Sequence, residues 1–325
     1  MKTGEFERIA RYFAPLAAGF PGAFGLTDDA AVLAPSPGHE FAVTTDTIVE
    51  GVHFVGDEPP DQIAAKMLRV NLSDIAAMGA RAVAYTLNVA LRHDVDDEWL
   101  SGFCAGLRAD QDTFGIHLMG GDSVATHGPV VLTVTAFGEA PSGQALRRNG
   151  ATPGDLIFVS GTIGDAALGL RVVQGNLPGL DEVSATALAS RYRLPDPRLA
   201  LGKELIAVAS AAADVSDGLV ADLGHIADAS GVGAVVNWGR MPMSAAARAA
   251  AALVEDLPSA ILTGGDDYEL VFTVSPGAAK VLPVMARRLD IPLCEIGVVN
   301  EGGGVHIVGA DGQAVQLEKA GYVHC

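Results

Sequence analysis

Two kinds of hydrophobic pattern alternate along this chain, and their alternation limits its possible folds more than any other feature. Short runs rich in β-branched residues predict strands at 41–45, 116–119, 130–135 and 156–159. Longer stretches with apolar residues three and four positions apart predict helices at 61–78, 97–114, 199–210, 219–229 and 278–289. This mixture predicts an α/β or α+β protein.

The chain has 325 residues, a length that suits two domains. The segment 141–155 lies near the middle and is rich in turn-forming proline, glycine and asparagine. We therefore expect one domain at 1–145 and a second at 146–325.

The charge balance excludes some classes of partner. There are 39 acidic and 21 basic side chains, which gives a formal net charge of -18. Nucleic acids and anionic membranes attract basic surfaces, so neither is expected as the main partner. We find neither a secretory-signal pattern nor an apolar run of about 18 residues that could span a membrane. The three cysteines are far apart, which is typical of free thiols in a reducing cytoplasm.

Many of the acids fall at the ends of predicted strands or in turns marked by glycine. They are Asp28, Asp29, Asp46, Asp122, Asp214, Asp217, Asp266 and Asp267. A single aspartate in a turn is commonly there for local hydrogen bonding. Loops outside strand ends, however, are where α/β proteins collect their ligand sites, so the group as a whole predicts one site.

Asp74 is unusual because it falls on a predicted helix. On a helical wheel of 61–78 it lies in the apolar stripe that contains Ile63, whereas Lys66 and Ser73 lie on the opposite, polar side. A buried carboxylate needs a cation or strong donors, since leaving it unpaired costs several kcal/mol. An internal salt bridge or cap would satisfy it, but metal coordination is the interpretation we favour.

Oxygen ligands without a histidine or cysteine cluster indicate a hard cation such as Mg²⁺, and several acids suggest several ions on a polyphosphate. Two glycine segments could bind phosphate: 161–167, which follows a strand and opens a helix, and 120–122. Neither matches the Walker or the dinucleotide fingerprint. Arg148 is either a phosphate contact or a solvated cation. We assign no residue as a catalytic acid or base.

Eight segments occur in an order typical of one known family. They are GEFERIARYF, TDDAAVL, TTDTIVEGVHF, NLSDIAAMGA, GGDSV, VSGTIGDAALGL, DVSDGL and TGGDDYEL. In these segments the chain resembles the thiamine-monophosphate kinase family, from about Gly4 to Tyr322. NLSDIAAMGA and DVSDGL are also similar to the wider superfamily of aminoimidazole ribonucleotide synthetase.

The resemblance implies a two-domain aminoimidazole ribonucleotide synthetase-like fold with mixed sheets flanked by helices. It implies ATP-dependent phosphorylation of thiamine monophosphate to thiamine diphosphate by Mg²⁺-assisted in-line transfer, the final step of thiamine diphosphate biosynthesis. It also implies a cytoplasmic homodimer that associates through its N-terminal domains, with ATP bound between the two domains of a subunit.

The resemblance also implies site residues. Those for Mg²⁺ are Asp29, Thr44, Thr45, Asp46, Asp74, Asp122, Asp214 and Asp217. Those for ATP are Gly121, Asp122, Arg148 and Ser216. Those for thiamine monophosphate are His53, Asp266 and Tyr322.

Two positions depart from the pattern of that family. Thr27 stands where glycine is usual, and a β-branched residue would be strained there if the backbone needs a positive φ. Asp266 stands where glutamate is usual, and its shorter side chain could turn a direct substrate contact into a water-mediated one.

Two other functions remain open at this point. One is another ATP-using enzyme of the same superfamily, similar to aminoimidazole ribonucleotide synthetase. The other is a non-catalytic acidic protein that binds divalent cations, although the chain lacks the D-x-[DN]-x-[DN]-G calcium loop.

Overall fold

The computed structural model describes residues 5–317 and residue 321. The chain separates into two compact units. Unit 1 comprises Met1–Ile75 and Ala80–Gly143, and unit 2 comprises Ala76–Gly79 and Gln144–Cys325. The principal change of unit falls between residues 143 and 144, inside the turn-rich segment 141–155.

Unit 1 is built on a four-stranded sheet. Its strands are β1 (His39–Val49), β2 (Arg81–Arg92), β3 (His117–Thr126) and β4 (Val131–Pro141). Its helices are α1 (Glu5–Arg8), α2 (Ala14–Ala17), α3 (Pro60–Ala77, whose last two residues belong to unit 2) and α4 (Asp97–Phe114), with a π-helical turn at Ile9–Phe13 and a 3₁₀ segment at Pro21–Leu26. The strand order is β1-β4-β2-β3, so β1 and β3 are its two edges. Only β2 and β3 run parallel.

Helix α3 is buried on more than one side, including the side that carries its polar residues. Lys66 is 3% exposed and Ser73 is fully buried. The sheet covers one side of the helix, because Ile75 lies against Gly138 of β4. Helix α4 covers another side: Arg69 of α3 pairs with Asp110 of α4 at 2.7 Å. The polar stripe seen in the sequence therefore faces a second helix.

The opposite face of this sheet is only partly covered among the described residues, because Ala23 packs with Ala84 and Phe137 at one end of it. Here the threonine-rich strand β4 shows its half-buried side chains, and the exposed side chains of β1 lie beside it. Val43 of β1 is 56% exposed and Val124 of β3 is 51% exposed. Unit 1 thus covers one face of its sheet with helices and leaves the part of the other face around Val43 and Val124 exposed.

Unit 2 contains a six-stranded mixed sheet in the order β10-β7-β9-β5-β8-β6, in which only β10 and β7 are parallel. The strands are β5 (Leu156–Ser160), β6 (Ala211–Asp214), β7 (Gly233–Asn237), β8 (Leu270–Val274), β9 (Leu293–Asn300) and β10 (Gly304–Val308). The helices are α5 (Asp165–Val173), α6 (Glu182–Arg193), α7 (Leu199–Leu205), α8 (Leu219–Ser230), α9 (Ala245–Ala250), α10 (Leu257–Leu262) and α11 (Leu282–Leu289), with 3₁₀ turns at Trp238–Arg240, Ala251–Leu253 and Ala278–Val281.

Both faces of the second sheet are buried. Ile157 and Val159 of β5 join one hydrophobic core, whereas Phe158 between them joins the other. Alternation along a strand sends neighbouring side chains to opposite faces, so two cores require helices on both sides. The predicted class, mixed sheets flanked by helices in two domains, is confirmed. No helix in the described part of the chain has the length and apolar character that a membrane crossing requires.

Candidate active site

In unit 1, a cluster of oxygen atoms forms where β1 faces α3. Thr44 and Asp46 are two positions apart on β1 and therefore share a face. Thr44 Oγ1 donates to Asp74 Oδ2 at 2.5 Å, and the Asp46 amide donates to Asn71 Oδ1 at 3.0 Å. The structure thus joins Thr44 to Asp74 directly and binds the backbone of Asp46, on the same face of β1, to the same helix. Asn71, which is fully buried and has no role in the sequence prediction, links the helix to the strand at this point.

The side chain of Thr45 is directed away from those of its neighbours Thr44 and Asp46. Its Oγ1 donates to the Val134 carbonyl at 3.0 Å and accepts from Thr135 Oγ1 at 3.1 Å, both on β4. Its side chain therefore lies on the opposite face of β1 from Thr44 and Asp46. The side-chain hydroxyl of Thr45 does not belong to the oxygen cluster.

Gly121 and Asp122 lie inside β3, not in a turn after a strand as predicted. Gly121 pairs with Leu87 at a φ of 153°, and a Cβ at this position would come within 1.8 Å of the Leu87 carbonyl oxygen. Asp122 is exposed and accepts from the amide of Ser123 at 2.8 Å. Strand β3 lies three positions across the sheet from β1, about 14 Å at the usual strand spacing. Asp122 and Asp46 therefore do not meet within one chain.

The first acidic motif has a backbone that tolerates Thr27. Its φ is -106°, and its Oγ1 donates to the Phe24 carbonyl at 2.7 Å. The left-handed residues are those just before it, Phe24, Gly25 and Leu26. The strain considered for threonine here is absent. The next residues, including Asp29, are exposed, as expected for a side chain available to a ligand.

His53 has a defined tautomer. Its Nδ1 accepts from the Val49 amide at 3.1 Å, so the neutral ring carries its proton on Nε2. The buried ammonium of Lys66 donates to the His53 carbonyl at 3.1 Å and so holds the turn that contains His53 in place. The ring therefore has a donor, Nε2–H, suited to a phosphate oxygen.

In unit 2, the DVSDGL segment joins β6 to α8. Asp214 ends β6 and is 2% exposed. Asp222, which the sequence prediction missed, accepts from the amides of Ser216 and Asp217 at 3.0 and 3.1 Å. Ligand atoms of Asp217, Asp222 and His225 all lie within 4.8 Å of one another. The sequence signal for this cluster was the i, i+3 spacing of Asp222 and His225, which places the two side chains on one face of a helix.

Burial and then the charge of Asp217 raise the pKa of Asp222 to about 7. The positive charge of Arg148 acts in the opposite direction. Arg148 itself is exposed, and only its backbone carbonyl is fixed, by a hydrogen bond from Ser230 Oγ at 3.3 Å. The predicted nucleotide contact thus lies near the DVSDGL segment with its guanidinium open to solvent.

Asp266 lies in a backbone segment of unusual geometry. Its φ is +70° and that of Tyr268 is +50°, values that few non-glycine residues adopt. The Asp266 amide donates to the Ser216 carbonyl at 2.9 Å, and the Tyr268 amide to the Val215 carbonyl at 2.8 Å. The TGGDDYEL segment is therefore docked on DVSDGL, which places Asp266 next to Ser216.

Asp267, between those two residues, is an internal anchor. It is 1% exposed and accepts from the amides of Gly164 at 2.6 Å and Ala166 at 3.1 Å. Burial raises its pKa to about 8 in spite of these bonds. The prediction of a phosphate loop at 161–167 is wrong for these two amides, because a carboxylate of the same chain already occupies the start of α5.

Glu269 is a second anchor and is fully buried. It accepts from Ser160 Oγ at 2.6 Å, from Arg198 Nε at 2.6 Å and from Arg191 at 2.8 Å. A buried carboxylate with this many charged and neutral donors is fully satisfied. Tyr322, the third predicted substrate contact, lies outside the described residues.

Known proteins match this chain over nearly its whole length. Residues 27–140 match the sequence model of the AIR synthase related protein N-terminal domain, and residues 152–309 match that of the C-terminal domain. A thiamine-monophosphate kinase of Caulobacter vibrioides is 42% identical over 326 residues, which cover 98% of this chain and 90% of the relative.

Two solved structures are also similar. The crystal structure of a thiamine-monophosphate kinase from Stenotrophomonas maltophilia is 43% identical with a TM-score of 0.85, and covers 97% of this chain and 99% of its own. A structure of AaThiL complexed with AMPPCP and TMP is 29% identical with a TM-score of 0.79, and covers 94% of this chain and 97% of its own.

Proposed function

The chain belongs to the thiamine-monophosphate kinases of the AIR synthase related family, and from that premise we propose how its own residues serve the reaction. It is an ATP-dependent transferase of thiamine biosynthesis that phosphorylates thiamine monophosphate to thiamine diphosphate. The observation that supports this function most strongly is the match over nearly the full length to kinases of this kind, including one with an ATP analogue and TMP bound. The aminoimidazole ribonucleotide synthetase-like alternative is not favoured.

We propose that Mg²⁺ is the metal of this site. The donors that β1 and α3 bring together are all oxygen atoms, of Thr44, Asp46 and Asp74, and such a set fits a hard cation. The remaining proposed ligands are Asp29, Asp122, Asp214 and Asp217, and the hydroxyl of Thr45 is left out because it is bound to β4 on the other face of β1. When bound, Mg²⁺ would offset the charge of the phosphate groups during transfer.

The residues of unit 1 hold the proposed ligands in place. Asn71 accepts from the Asp46 amide and so fixes the strand at that residue. Thr44 donates to one oxygen of Asp74 and orients this carboxylate. Nε2–H of His53 would donate to the phosphate of thiamine monophosphate, since Nδ1 is already an acceptor. These contacts position groups without moving a proton.

In unit 2, Ser216 and Arg148 would contact ATP together with Gly121 and Asp122 of unit 1. Asp266 and Tyr322 would contact thiamine monophosphate. The acceptor is a phosphate oxygen that is already anionic, so no general base is required. Positioning and charge neutralisation then account for the catalysis.

Product analysis tests the function directly. Purified protein with ATP, Mg²⁺ and thiamine monophosphate should form ADP and thiamine diphosphate in equal amounts, as measured by chromatography. Thiamine in place of its monophosphate is the control and should give no product. Absence of ADP and thiamine diphosphate in the first reaction would remove the assignment.

We also propose a homodimer that forms through unit 1. Two observations support it: the exposed part of one face of the four-stranded sheet, and the two edge strands, β1 and β3, each of which pairs with a strand on one side only among the described residues. If β3 of a second copy lies beside β1, the strand that carries the partner's Asp122 comes next to the strand that carries Asp46. A site that uses both aspartates would then draw them from two chains.

Mixing two inactive variants tests this arrangement. Asp46→Asn and Asp122→Asn, mixed and allowed to exchange subunits, should recover about a quarter of wild-type activity, because half of the dimers are mixed and each has one intact site. Light scattering should give twice the mass of one chain. No recovery in exchanged dimers would place both aspartates in the same chain's site.

We propose a cytoplasmic location, without nucleic acid or membrane partners. The thiols of Cys104 and Cys294 are free, as is usual in a reducing compartment. Cell fractionation tests the location, and recovery in the membrane fraction would contradict it.

A further inference from the structure

Asp222 holds two consecutive amides of the DVSDGL segment. It lies in the first turns of α8, is 1% exposed, and accepts through Oδ2 from the amides of Ser216 and Asp217. Both residues precede the helix, which begins at Leu219. Two charge-assisted hydrogen bonds to adjacent amides fix the orientation of both peptide groups.

The same segment is held from its other side by backbone contacts. The Ser216 carbonyl accepts from the Asp266 amide, and a Cβ on Gly265 would come within 2.2 Å of that carbonyl oxygen. Gly218 has a φ of +114°, and a Cβ there would lie 2.8 Å from the Thr263 carbonyl carbon. Backbone packing fixes one side of the segment, and on the other side Asp222 is the side chain that binds its amides.

The hydrogen bonds to Asp222 decide which groups of Ser216 and Asp217 can contact a ligand. The amides of Ser216 and Asp217 are turned towards Asp222, so they are not donors for a nucleotide phosphate. What these two residues can offer is their side chains. The direction of those side chains depends on the peptide groups that Asp222 fixes.

We propose that Asp222 is a positioning residue for Ser216 and Asp217, acting through their amides and not as a metal ligand. The proposal rests on the proposed function, which assigns Ser216 to ATP and Asp217 to Mg²⁺. The competing possibility is direct ligation, because Asp217, Asp222 and His225 have ligand atoms within 4.8 Å of one another. The two differ in what the carboxylate must supply: an acceptor oxygen in the first case, a negative charge in the second.

Two substitutions separate an acceptor from a charge. In Asp222→Asn the amide oxygen can accept the same two hydrogen bonds, but the charge is lost. In Asp222→Ala both amides lose their acceptor. Asp228→Asn and Asp228→Ala are matched controls, because Asp228 is on the same helix and is exposed.

The measurements are calorimetric affinity for AMPPCP with Mg²⁺, and KM for ATP against kcat. We expect Asp222→Ala to weaken binding and raise KM by about tenfold or more, with a smaller change in kcat, and Asp222→Asn to stay within about threefold of wild type. The controls should match wild type. Equal losses in both Asp222 variants would show that the charge matters and overturn the proposal. Wild-type behaviour of Asp222→Ala would overturn it as well.

Hydrogen exchange of the wild-type protein gives a test that needs no folded variant. Without nucleotide, the Ser216 and Asp217 amides should exchange slowly, as buried bonded amides do. Rapid exchange would overturn the proposal. Because binding of AMPPCP is measured apart from product formation, a protein that binds it but makes no thiamine diphosphate would fail the proposed function and leave the test of Asp222 intact.

Discussion

The two units hold several of their proposed site acids by different physical means, although Asp29 of unit 1 lies in a loop and Asp214 of unit 2 ends strand β6. In unit 1 the acids belong to regular structure, with Asp46 inside β1 and Asp74 inside α3, and strand register sets their positions. In unit 2 the acids Asp217 and Asp266 lie in connecting segments outside the strands. There, buried polar side chains fix the positions of the segments, as strand register does in unit 1.

The anchors of unit 2 follow an alternating pattern around Asp266. Asp266 and Tyr268 are half-buried, and the residues that follow each of them, Asp267 and Glu269, are buried. These two are the anchors: Asp267 accepts from amides at the start of α5, and Glu269 binds two arginines. Each anchor is ionisable and buried, so holding a loop in this way carries a cost in desolvation. The loops of unit 2 should therefore depend on the buried charges of these anchors and on pH.

Breaking the strongest anchor should have the largest effect. Glu269→Gln leaves Arg191 and Arg198 without their buried counter-charge, and breaking such pairs typically costs about 3–5 kcal/mol. Urea unfolding followed at Trp238, in a Trp99→Phe background, reports unit 2 alone, since the chain has 2 tryptophans, one in each unit. Glu295→Gln is the control, because its pair with Arg240 is exposed and should contribute about 1 kcal/mol or less. Similar losses for the two variants would contradict the role of burial.

In unit 1 the corresponding substitution should affect turnover and leave stability nearly unchanged. Asp74→Asn keeps the size of the side chain but removes a charge from the proposed metal cluster, so we expect turnover to fall by about 100-fold or more at saturating Mg²⁺. Asp61→Asn, at the exposed start of the same helix, serves as the control and should retain activity. Near-normal turnover of Asp74→Asn would remove Asp74 from the cluster.

The two units should respond to pH in opposite directions. In unit 2, burial raises the pKa of Asp267 to about 8, above its value in the unfolded chain. The stability from its protonated form is therefore complete below about pH 4 and is lost as the pH rises towards 8. Unfolding of unit 2, followed at Trp238, should become easier over this range. Asp267→Asn should flatten the dependence, and an unchanged slope would contradict the shift.

Glu139 gives unit 1 the opposite sign. Burial opposes its ionisation, but hydrogen bonds from Ser36 and the guanidinium of Arg81 outweigh burial and lower its pKa. The stability it contributes is present above the unfolded-state pKa and is lost as the pH falls through the folded-state pKa. Unfolding followed at Trp99, in a Trp238→Phe background, should show this loss in acid. A Glu139→Gln variant with the same acid sensitivity would exclude Glu139 as its source.

The smallest expected effect concerns Asp266. Asp266→Glu introduces the residue usual in the family and lengthens the side chain by one methylene, so affinity for thiamine monophosphate should hold or rise by a few-fold at most. The φ of +70° limits the gain, because aspartate tolerates this conformation better than most residues. KM for thiamine monophosphate measures it. A large loss would mean that the pocket fits aspartate.

The sequence predicted the class of fold, two domains with mixed sheets flanked by helices, because hydrophobic period and motif order are local properties. It did not predict strands as poor in β-branched residues as β6, Ala211–Asp214, where burial against β8 decides the structure. Nor did it predict the anchor role of Asp267, because donors more than 100 residues away along the chain, at Gly164 and Ala166, create it.

The burial of the polar side of α3 was not predictable from the sequence for a similar reason. A helical wheel shows polarity but not the neighbouring helix, and Arg69 finds its partner on α4. The separation of Asp46 from Asp122 likewise follows from strand order, which periodicity does not contain.

A crystal structure of the protein with AMPPCP and Mn²⁺ in place of Mg²⁺ tests the central claim most directly, because anomalous scattering locates each ion independently of the model of the chain. We predict ions against Asp46 and Asp74 of unit 1 and against Asp214 or Asp217 of unit 2, with the Thr44–Asp74 and Asp222–Ser216 hydrogen bonds preserved. Nucleotide bound without an ion at Asp46 and Asp74 would contradict the account.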